Sequence, residues 1–265
     1  METFERLVAD AEGQPFSGWD FSYLKNRYEE GEFSWDIRKM LLESLRHSRS
    51  LLDLGTGGGE FLSSLQPLPR TTCATEGYAP NARIARRKLQ PLGVDVVQTF
   101  CEDNGGPSPR KGALPFRANT FDCVMDRHEA YIANEVYRVL KRQGVFITQQ
   151  VGHGNNAELH DFLQEESEKE SEASWNFRKA VVELEAVGFR VMERRAESTK
   201  SRFLDIAAIV YYLTFIPWEV PGFSTKKYDR KLREIDRRIR SDGFFEVSTA
   251  RFFVIAVKEA GLSSG

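Results

Sequence analysis

The chain has few of the residues from which disulfide frameworks and metal centres are built. Among its 265 residues there are three cysteines and four histidines. The cysteines, Cys73, Cys101 and Cys123, are odd in number and form no C-x-x-C pair. The sequence therefore favours neither a disulfide scaffold nor a thiolate metal site, and it predicts no bound metal.

Long apolar runs and a large charge of one sign are also missing. The longest mostly apolar stretch, residues 203–220, contains Asp205, Pro217 and Glu219, which a membrane-spanning helix would tolerate poorly. The opening residues METFERLVADAEG do not show the cationic start and apolar segment of a secretory signal. The net charge of -2 creates no global positive field. These absences predict a cytoplasmic protein without membrane contact, and they do not favour nucleic acid as a partner.

What the sequence does contain is the composition of a globular protein, with 41% hydrophobic and 29% charged residues. Short apolar strands alternate with amphipathic helices along most of it. The predicted strands are 50–54, 71–75, 94–99, 120–125, 145–151, 190–195 and 244–258. The predicted helices are 34–47 (capped by Ser34), 60–65, 80–89, 134–140 (ended by Gly144) and 175–187. This alternation predicts an α/β fold with a parallel sheet covered on both faces.

Two segments are not needed by that sheet. Residues 1–48 form a predicted N-terminal helical flap, and residues 202–243 form a predicted helical insertion between the last two strands. The sheet itself is assigned to residues 49–201, with the final strand and tail in 244–265. Both extra segments are rich in aromatic residues, so each can either complete the core or cover a binding site as a lid.

A glycine cluster follows the first strand of the sheet, as Gly55-Thr56-Gly57-Gly58-Gly59. Strand, glycine turn and helix in this order are typical of nucleotide- and nucleoside-binding sites, because glycine lets the backbone approach a ligand closely. Asp53 lies inside the strand, where an apolar residue is the usual choice. Glu76 follows Gly55 by 21 residues, at the tip of the next strand, where a carboxylate can accept both hydroxyls of a ribose. The spacing predicts a nucleoside cofactor.

The residue after the cluster narrows the choice of cofactor. A dinucleotide fingerprint has a third glycine where this chain has Glu60. The N-terminal end of a helix favours anions, so a pyrophosphate would bind there. A carboxylate at the same position repels the pyrophosphate, because both groups are negatively charged. The ligand is then a nucleoside without phosphates, and S-adenosylmethionine (SAM) fits that description.

Four segments carry a resemblance to a known family: LLDLGTGGGEF, ATEGY, LPFRANTFDCVMDRHE and EVYRVLKRQGVFITQQV. They resemble successive motifs of the class I SAM-dependent methyltransferases, in the broad group that includes small-molecule methyltransferases. The resemblance covers residues 50–151 clearly and 175–258 more loosely. It implies a Rossmann-like, doubly wound sheet of seven strands, mostly parallel, with an antiparallel last strand.

The resemblance also implies which residues hold the cofactor. The methionine part would lie against the acidic-glycine motif, and the ribose would be held by the carboxylate that follows the second strand. The adenine amino group would meet one of two acids after the third strand, and the end of the fourth strand would line the pocket. The residues at the methionine part would be Asp53, Gly55, Thr56, Gly57 and Gly59, and those at the ribose would be Glu76 with Gly77 and Tyr78. Glu102 or Asp103 would meet adenine, and Asp126 and Arg127 would line the pocket.

Two histidines follow neighbouring strands of the predicted sheet. His128 comes directly after the strand that ends at residue 125, and His153 follows the strand that ends at residue 151. A histidine there can act as a general base towards the methyl acceptor or orient it, because its ordinary pKa is about 6.5. Each can equally be a structural contact. Asp126, His128, Glu129 and His153 could converge on a metal, but their spacing matches no ligand set.

These features predict an enzyme that transfers a methyl group from SAM to an oxygen or nitrogen of a small molecule. One alternative is an RNA methyltransferase that uses the basic cluster 226–240, most of which lies on a predicted amphipathic helix, 228–240. Others are a SAM-binding protein without turnover and a nicotinamide oxidoreductase, which Glu60 disfavours. The sequence leaves open whether the chain forms a homo-oligomer.

Overall fold

A computed structural model describes residues 2–99, 112–163 and 176–259. In these ranges one sheet of eight strands has the order β1-β7-β8-β6-β5-β2-β3-β4. The strands are β1 Tyr28–Glu29, β2 Ser50–Leu54, β3 Thr71–Glu76, β4 Val94–Gln98, β5 Phe121–Arg127, β6 Leu140–Val151, β7 Phe189–Phe203 and β8 Phe245–Lys258. The helices of the described ranges are α1 Phe4–Glu12, α2 Ile37–Leu45, α3 Glu60–Ser64, α4 Ala79–Leu89, α5 Ala133–Val139, α6 Ala157–Leu163, α7 Phe177–Ala186, α8 Ile206–Phe215 and α9 Thr225–Asp242.

The doubly wound, mostly parallel sheet predicted from the sequence is confirmed. Strands β4, β3, β2, β5 and β6 are parallel neighbours. β8 then lies between β6 and β7 and is antiparallel to both, as predicted for the last strand. The eighth strand is β1, a two-residue strand of the N-terminal segment that pairs antiparallel with the end of β7.

Three of the boundaries that differ from the sequence prediction are set by contacts with other strands. The second helix is capped by Asp36, whose side chain accepts from Lys39 N, and Ser34 instead bonds to Glu197. The helix before β6 ends at Val139 rather than near Gly144, because Leu140 is already extended and pairs with Phe121. β7 continues to Phe203, since its polar second half pairs with β8 along its full length.

Both faces of the sheet are covered by apolar side chains. On one face, α2, α3 and α4 pack on β2, β3 and β5 around buried residues such as Leu51 and Met125. On the other face, α5 and α7 pack around Phe146 and Phe252. This arrangement leaves the carboxyl ends of the parallel strands as the open rim, where ligands of such sheets bind.

The insertion and the N-terminal helix form a separate apolar cluster beside the ends of β7 and β8. Helix α8 (IAAIVYYLTF) is apolar on all sides, so it is buried among α1, α6 and α9. α9 is amphipathic, with Leu232, Ile235 and Ile239 facing this cluster. Within the described ranges, none of the helices combines the length and the apolarity that crossing a membrane requires.

Candidate active site

A cavity of about 580 Å³ opens at the carboxyl ends of β2, β3 and β5. It is lined by Trp19, Asp53, Gly55, Thr56, Gly57, Glu60, Phe61, Ser64, Glu76, Tyr78, Asn81, Arg127, His128, Glu129 and Trp218. Eight of the residues singled out in the sequence line it: Asp53, Gly55, Thr56, Gly57, Glu76, Tyr78, Arg127 and His128. The cavity therefore lies where the glycine loop, the β3 carboxylate and the end of β5 meet.

Four other candidates do not line this cavity, and two cannot be located. Gly59 is the N-cap of α3, and Gly77 lies between Glu76 and Tyr78. Asp126 is buried behind the cavity wall, and His153 is exposed in the turn after β6. Glu102 and Asp103 lie outside the described residues, so their predicted contact with adenine stays a prediction.

The glycine loop is shaped by close backbone approaches. Gly55 has a φ of +62°, and a Cβ atom there would collide with the Glu129 side chain. Gly59 has a φ of +82°, and a Cβ atom there would lie 2.8 Å from Leu89 of α4. Side chains at these positions would be strained by the left-handed conformation as well as by the neighbours. The loop thus needs glycine at both ends.

The carboxylate of Glu76 organises the loop. It is buried, with 6% of the residue exposed. Its Oε2 accepts a 2.8 Å hydrogen bond from Gly57 N, and its Oε1 accepts one of 2.8 Å from Tyr78 N. Burial raises the pKa of Glu76, although these backbone N–H groups oppose the shift. Each carboxylate oxygen can accept a further hydrogen bond, so the group can hold the loop and a ligand hydroxyl together.

A second buried carboxyl group, Asp53, lies on the floor of the cavity at the end of β2. Burial raises its pKa to about 7, against the opposing effects of Thr56 and Arg127. A buried carboxyl group with a pKa near neutrality is half protonated until a positive charge comes close. Asp53 is therefore suited to a cationic ligand group.

Asp126 acts from behind the cavity. Its Oδ2 accepts from Thr148 Oγ1 at 2.8 Å and from Gln150 Nε2 at 2.6 Å. Its Oδ1 accepts from Glu129 N at 3.2 Å, and Gln150 also donates to Glu129 O. Burial raises the pKa of Asp126 well above its ordinary value. Asp126 was predicted to line the pocket. In the structure it lies behind the wall and holds the backbone of Glu129.

Arg127 is the cationic side chain of the cavity wall. Its guanidinium lies 4.1 Å from the centre of the Phe61 ring, a cation–π contact. Its Nε is buried and has no hydrogen-bond partner among the described residues. Burial lowers the pKa of Arg127, and the neighbouring carboxylates of Glu30 and Asp53 oppose that shift.

His128 combines an unusual backbone with an unpartnered ring nitrogen. Its φ is +64°, a conformation that is uncommon for residues other than glycine and is enriched at functional sites. A 2.9 Å hydrogen bond from His128 N to Gln149 O fixes this backbone. Its Nδ1 is buried without a partner in the described ranges. Burial, together with Arg251 and Arg127, lowers the pKa of His128 well below 6.5, so the ring is neutral at pH 7.

The flap and the insertion meet above the cavity. The rings of Trp19 and Trp218 stack in parallel, with centroids 6.0 Å apart and planes inclined by 2°. Gly18 and Trp19 also rest on the glycine loop, since a Cβ atom at Gly18 would lie 3.1 Å from Gly58 Cα. The two aromatic segments that the sequence marked as lids are thus in contact with each other.

Glu60 does not stand alone at the start of α3. Its carboxylate forms a 2.6 Å ion pair with Lys88 Nζ of α4. This pair weakens the repulsion of a pyrophosphate inferred from the sequence, so Glu60 is weaker evidence against a dinucleotide than expected.

Phe61, Ser64 and Asn81 also line the cavity, and sequence reasoning missed them. Their position in the first turns of α3 and α4, after the two loops, was the available signal. The described residues contain no cluster of three potential metal ligands.

Comparison with known proteins gives one family match and several structural matches. Residues 52–148 match the family model described as a methyltransferase domain. No curated protein sequence matches the chain significantly. A Bacillus halodurans C-125 protein, provisionally named a methyltransferase, is 18% identical, with a TM-score of 0.58 over 85% of this chain and 99% of that one.

Two further solved structures have the same fold. The YcgJ protein of Bacillus subtilis is 15% identical, with a TM-score of 0.54 over 85% of this chain and 99% of that one. The [4+2]-cyclase SpnF is 14% identical, with a TM-score of 0.53 over 97% of this chain and 93% of that one. At these identities the structures support the fold, whereas the reaction has to be argued from the cavity.

Proposed function

We propose that this enzyme transfers a methyl group from SAM to an oxygen or nitrogen of a small molecule. Its residues 52–148 are a methyltransferase domain of the class I SAM-dependent family. The family resemblance in the sequence is confirmed by that match. The observation that carries the proposal is the pair of buried carboxyl groups, Asp53 and Glu76, which flank the glycine loop in one cavity.

The residues of the cavity fit SAM. Glu76 is available to the ribose hydroxyls, and its neighbour Tyr78 is exposed at the rim. Asp53 offers a buried negative charge to the cationic methionine part, which also lies against the glycine loop. When bound, SAM supplies a methyl group on a positively charged sulfur, which makes the methyl carbon electrophilic. The chain then has to position a nucleophile, exclude water and, where the nucleophile carries a proton, remove it.

His128 is the residue that we assign to proton removal. His128 lines the cavity, its ring is neutral at pH 7, and its Nδ1 has no partner in the described ranges. A hydroxyl or amine acceptor hydrogen-bonded to the imidazole would be oriented, and would lose its proton to the ring as the methyl group is transferred.

The acceptor side of the cavity favours a planar or partly apolar molecule. Trp19 and Trp218 form an aromatic wall, and aromatic faces stack on planar groups while excluding water. The wall closes over a cavity of about 580 Å³, a size typical of small-ligand sites.

The RNA alternative is less well supported, because most of the arginines of α9 are neutralised within the chain. Arg233 pairs with Asp229 and Glu5, Arg238 with Glu234, and Arg240 with Asp236. A protein that binds phosphates needs cations available to replace counterions. SpnF, which has the same fold, is named as a cyclase. Experiments must therefore distinguish methyl transfer from a different reaction in this cavity.

A thermal-shift titration tests cofactor binding directly. S-adenosylhomocysteine at about one hundred times its dissociation constant should raise the melting temperature by about 5–10 °C. NADH at the same concentration is the control, and it should produce no shift. A shift with NADH alone would overturn the assignment, and no shift with either would favour a site without SAM chemistry.

The affinity for S-adenosylhomocysteine should rise about tenfold between pH 6 and pH 8. Burial holds the pKa of Asp53 near 7, so below that pH the carboxyl group must lose a proton before it can pair with the ligand's ammonium group. The measurement is calorimetric titration across this pH range. 5′-Methylthioadenosine lacks the amino acid part and is the matched control, whose affinity should stay constant. Equal pH profiles for the two ligands would contradict the role of Asp53.

A further inference from the structure

Behind the Trp218 wall lies a buried polar cluster that the proposed chemistry does not use. Its centre is the carboxylate of Glu219, whose side chain is 10% exposed. Oε2 of Glu219 lies 2.7 Å from His160 Nε2. Oε1 accepts from Tyr212 OH at 2.9 Å and from Asn155 Nδ2 at 3.4 Å. Both oxygens of this carboxylate are therefore engaged by side chains from other elements.

The partners of Glu219 are themselves held in place. The Tyr212 hydroxyl accepts a 2.9 Å hydrogen bond from Asn156 Nδ2. Asn156 is 3% exposed, and its backbone N donates to Ser248 O of β8 at 2.8 Å. The carboxylate is thus fixed against α8, α6 and the turn after β6, and its position is determined by the rigid part of the fold.

Glu219 directly follows Trp218 in the connection between α8 and α9. Trp218 itself is largely exposed, with 63% of the residue accessible, so packing does little to fix its ring. Ile216 and Val220 are buried on either side and keep the connection folded. The ring still stacks on Trp19 with a 2° inclination, and the carboxylate of the next residue, Glu219, is fixed by hydrogen bonds.

The cluster also reaches the N-terminal flap. Asn155 Oδ1 accepts a 2.7 Å hydrogen bond from Arg251 Nη1, and Arg251 Nη2 lies 3.8 Å from Glu30 Oε1. One polar chain therefore joins the insertion that carries Trp218 to the flap that carries Trp19.

We propose that Glu219 is a positioning residue, which sets the Trp218 ring against Trp19 and thereby forms the acceptor wall of the cavity. The part that concerns the acceptor rests on the proposed function. The part that concerns the tryptophan pair is independent of it, because the stacking joins two residues of the chain itself.

The test uses the circular dichroism of the stacked tryptophans in the full chain. The difference spectrum between wild type and Trp218→Phe defines the signal of the pair. Glu219→Gln and Tyr212→Phe should each lose at least half of that signal. Thr214→Val is the matched control: it removes a hydrogen bond of the same helix, from Thr214 Oγ1 to Val210 O, without touching Glu219, and it should keep the full signal.

The outcomes separate the two proposals. A full signal in a folded Glu219→Gln variant would overturn the positioning role. If that variant does not fold, Tyr212→Phe decides, since it keeps the carboxylate and the ring. Titration of wild type with S-adenosylhomocysteine is run in parallel: absence of binding overturns the proposed function, whereas the tryptophan signal alone decides the role of Glu219.

Discussion

Replacing Glu76 with alanine is expected to weaken the binding of S-adenosylhomocysteine about a hundredfold. The change removes the acceptor proposed for the ribose hydroxyls, and it also leaves the N–H groups of Gly57 and Tyr78 without their carboxylate. Hydrogen bonds to charged groups contribute about 1.5–3 kcal/mol each, and two such losses at the lower end of this range, about 3 kcal/mol, correspond to roughly a hundredfold. Calorimetric titration of the variant measures it.

Glu76→Gln is the comparison that separates the two causes. The amide keeps one oxygen, so it retains one of the two backbone hydrogen bonds and most of the side-chain volume. We expect an affinity between those of wild type and Glu76→Ala, with a melting temperature close to that of wild type. Undiminished binding in a folded Glu76→Ala protein would remove Glu76 from the cofactor site.

Replacing His128 with asparagine should lower turnover at least a hundredfold while leaving the affinity for S-adenosylhomocysteine within about twofold. General base catalysis contributes about 10²–10⁴ in rate, and asparagine cannot take up a proton. Asparagine is preferred to alanine here because residue 128 has a φ of +64°, which asparagine tolerates better. Single-turnover assays with the acceptor found by screening measure the effect.

His153→Ala is the matched comparison, since His153 is the other sequence candidate and lies exposed outside the cavity. We expect it to keep wild-type turnover, which would leave proton removal to His128.

The pH profile gives a second check. Because the pKa of His128 is held well below 6.5, protonation of the ring should not reduce turnover as the pH falls from 8 to 7. Full activity in His128→Asn would exclude His128 as the base.

Hydrophobic periodicity and motif spacing were enough to predict the sheet and the floor of the site. β2 was predicted with the bounds that the structure shows, because a short, mostly apolar run that leads directly into a glycine cluster leaves few alternatives. Glu76 was found because the spacing from the glycine loop to the tip of the next strand is set by the strand–helix–strand unit itself.

Features that depend on distant contacts were not predictable in this way. The polar second half of β7 is a strand because it pairs with β8, some fifty residues away. Asp36 replaces Ser34 as the helix cap because Glu197 of β7 bonds to Ser34. The stacking of Trp19 on Trp218 joins residues two hundred positions apart, and no periodicity in either segment encodes it.

The position of β8 determines when this protein can finish folding during synthesis. β6 and β7 lie on either side of β8, so neither can complete its hydrogen bonds there until residues 245–258 have left the ribosome. Until then the partly made chain exposes unpaired strand edges, which invite association with other chains. A ribosome that stalls before residue 245 should therefore release an aggregation-prone product rather than a smaller folded enzyme.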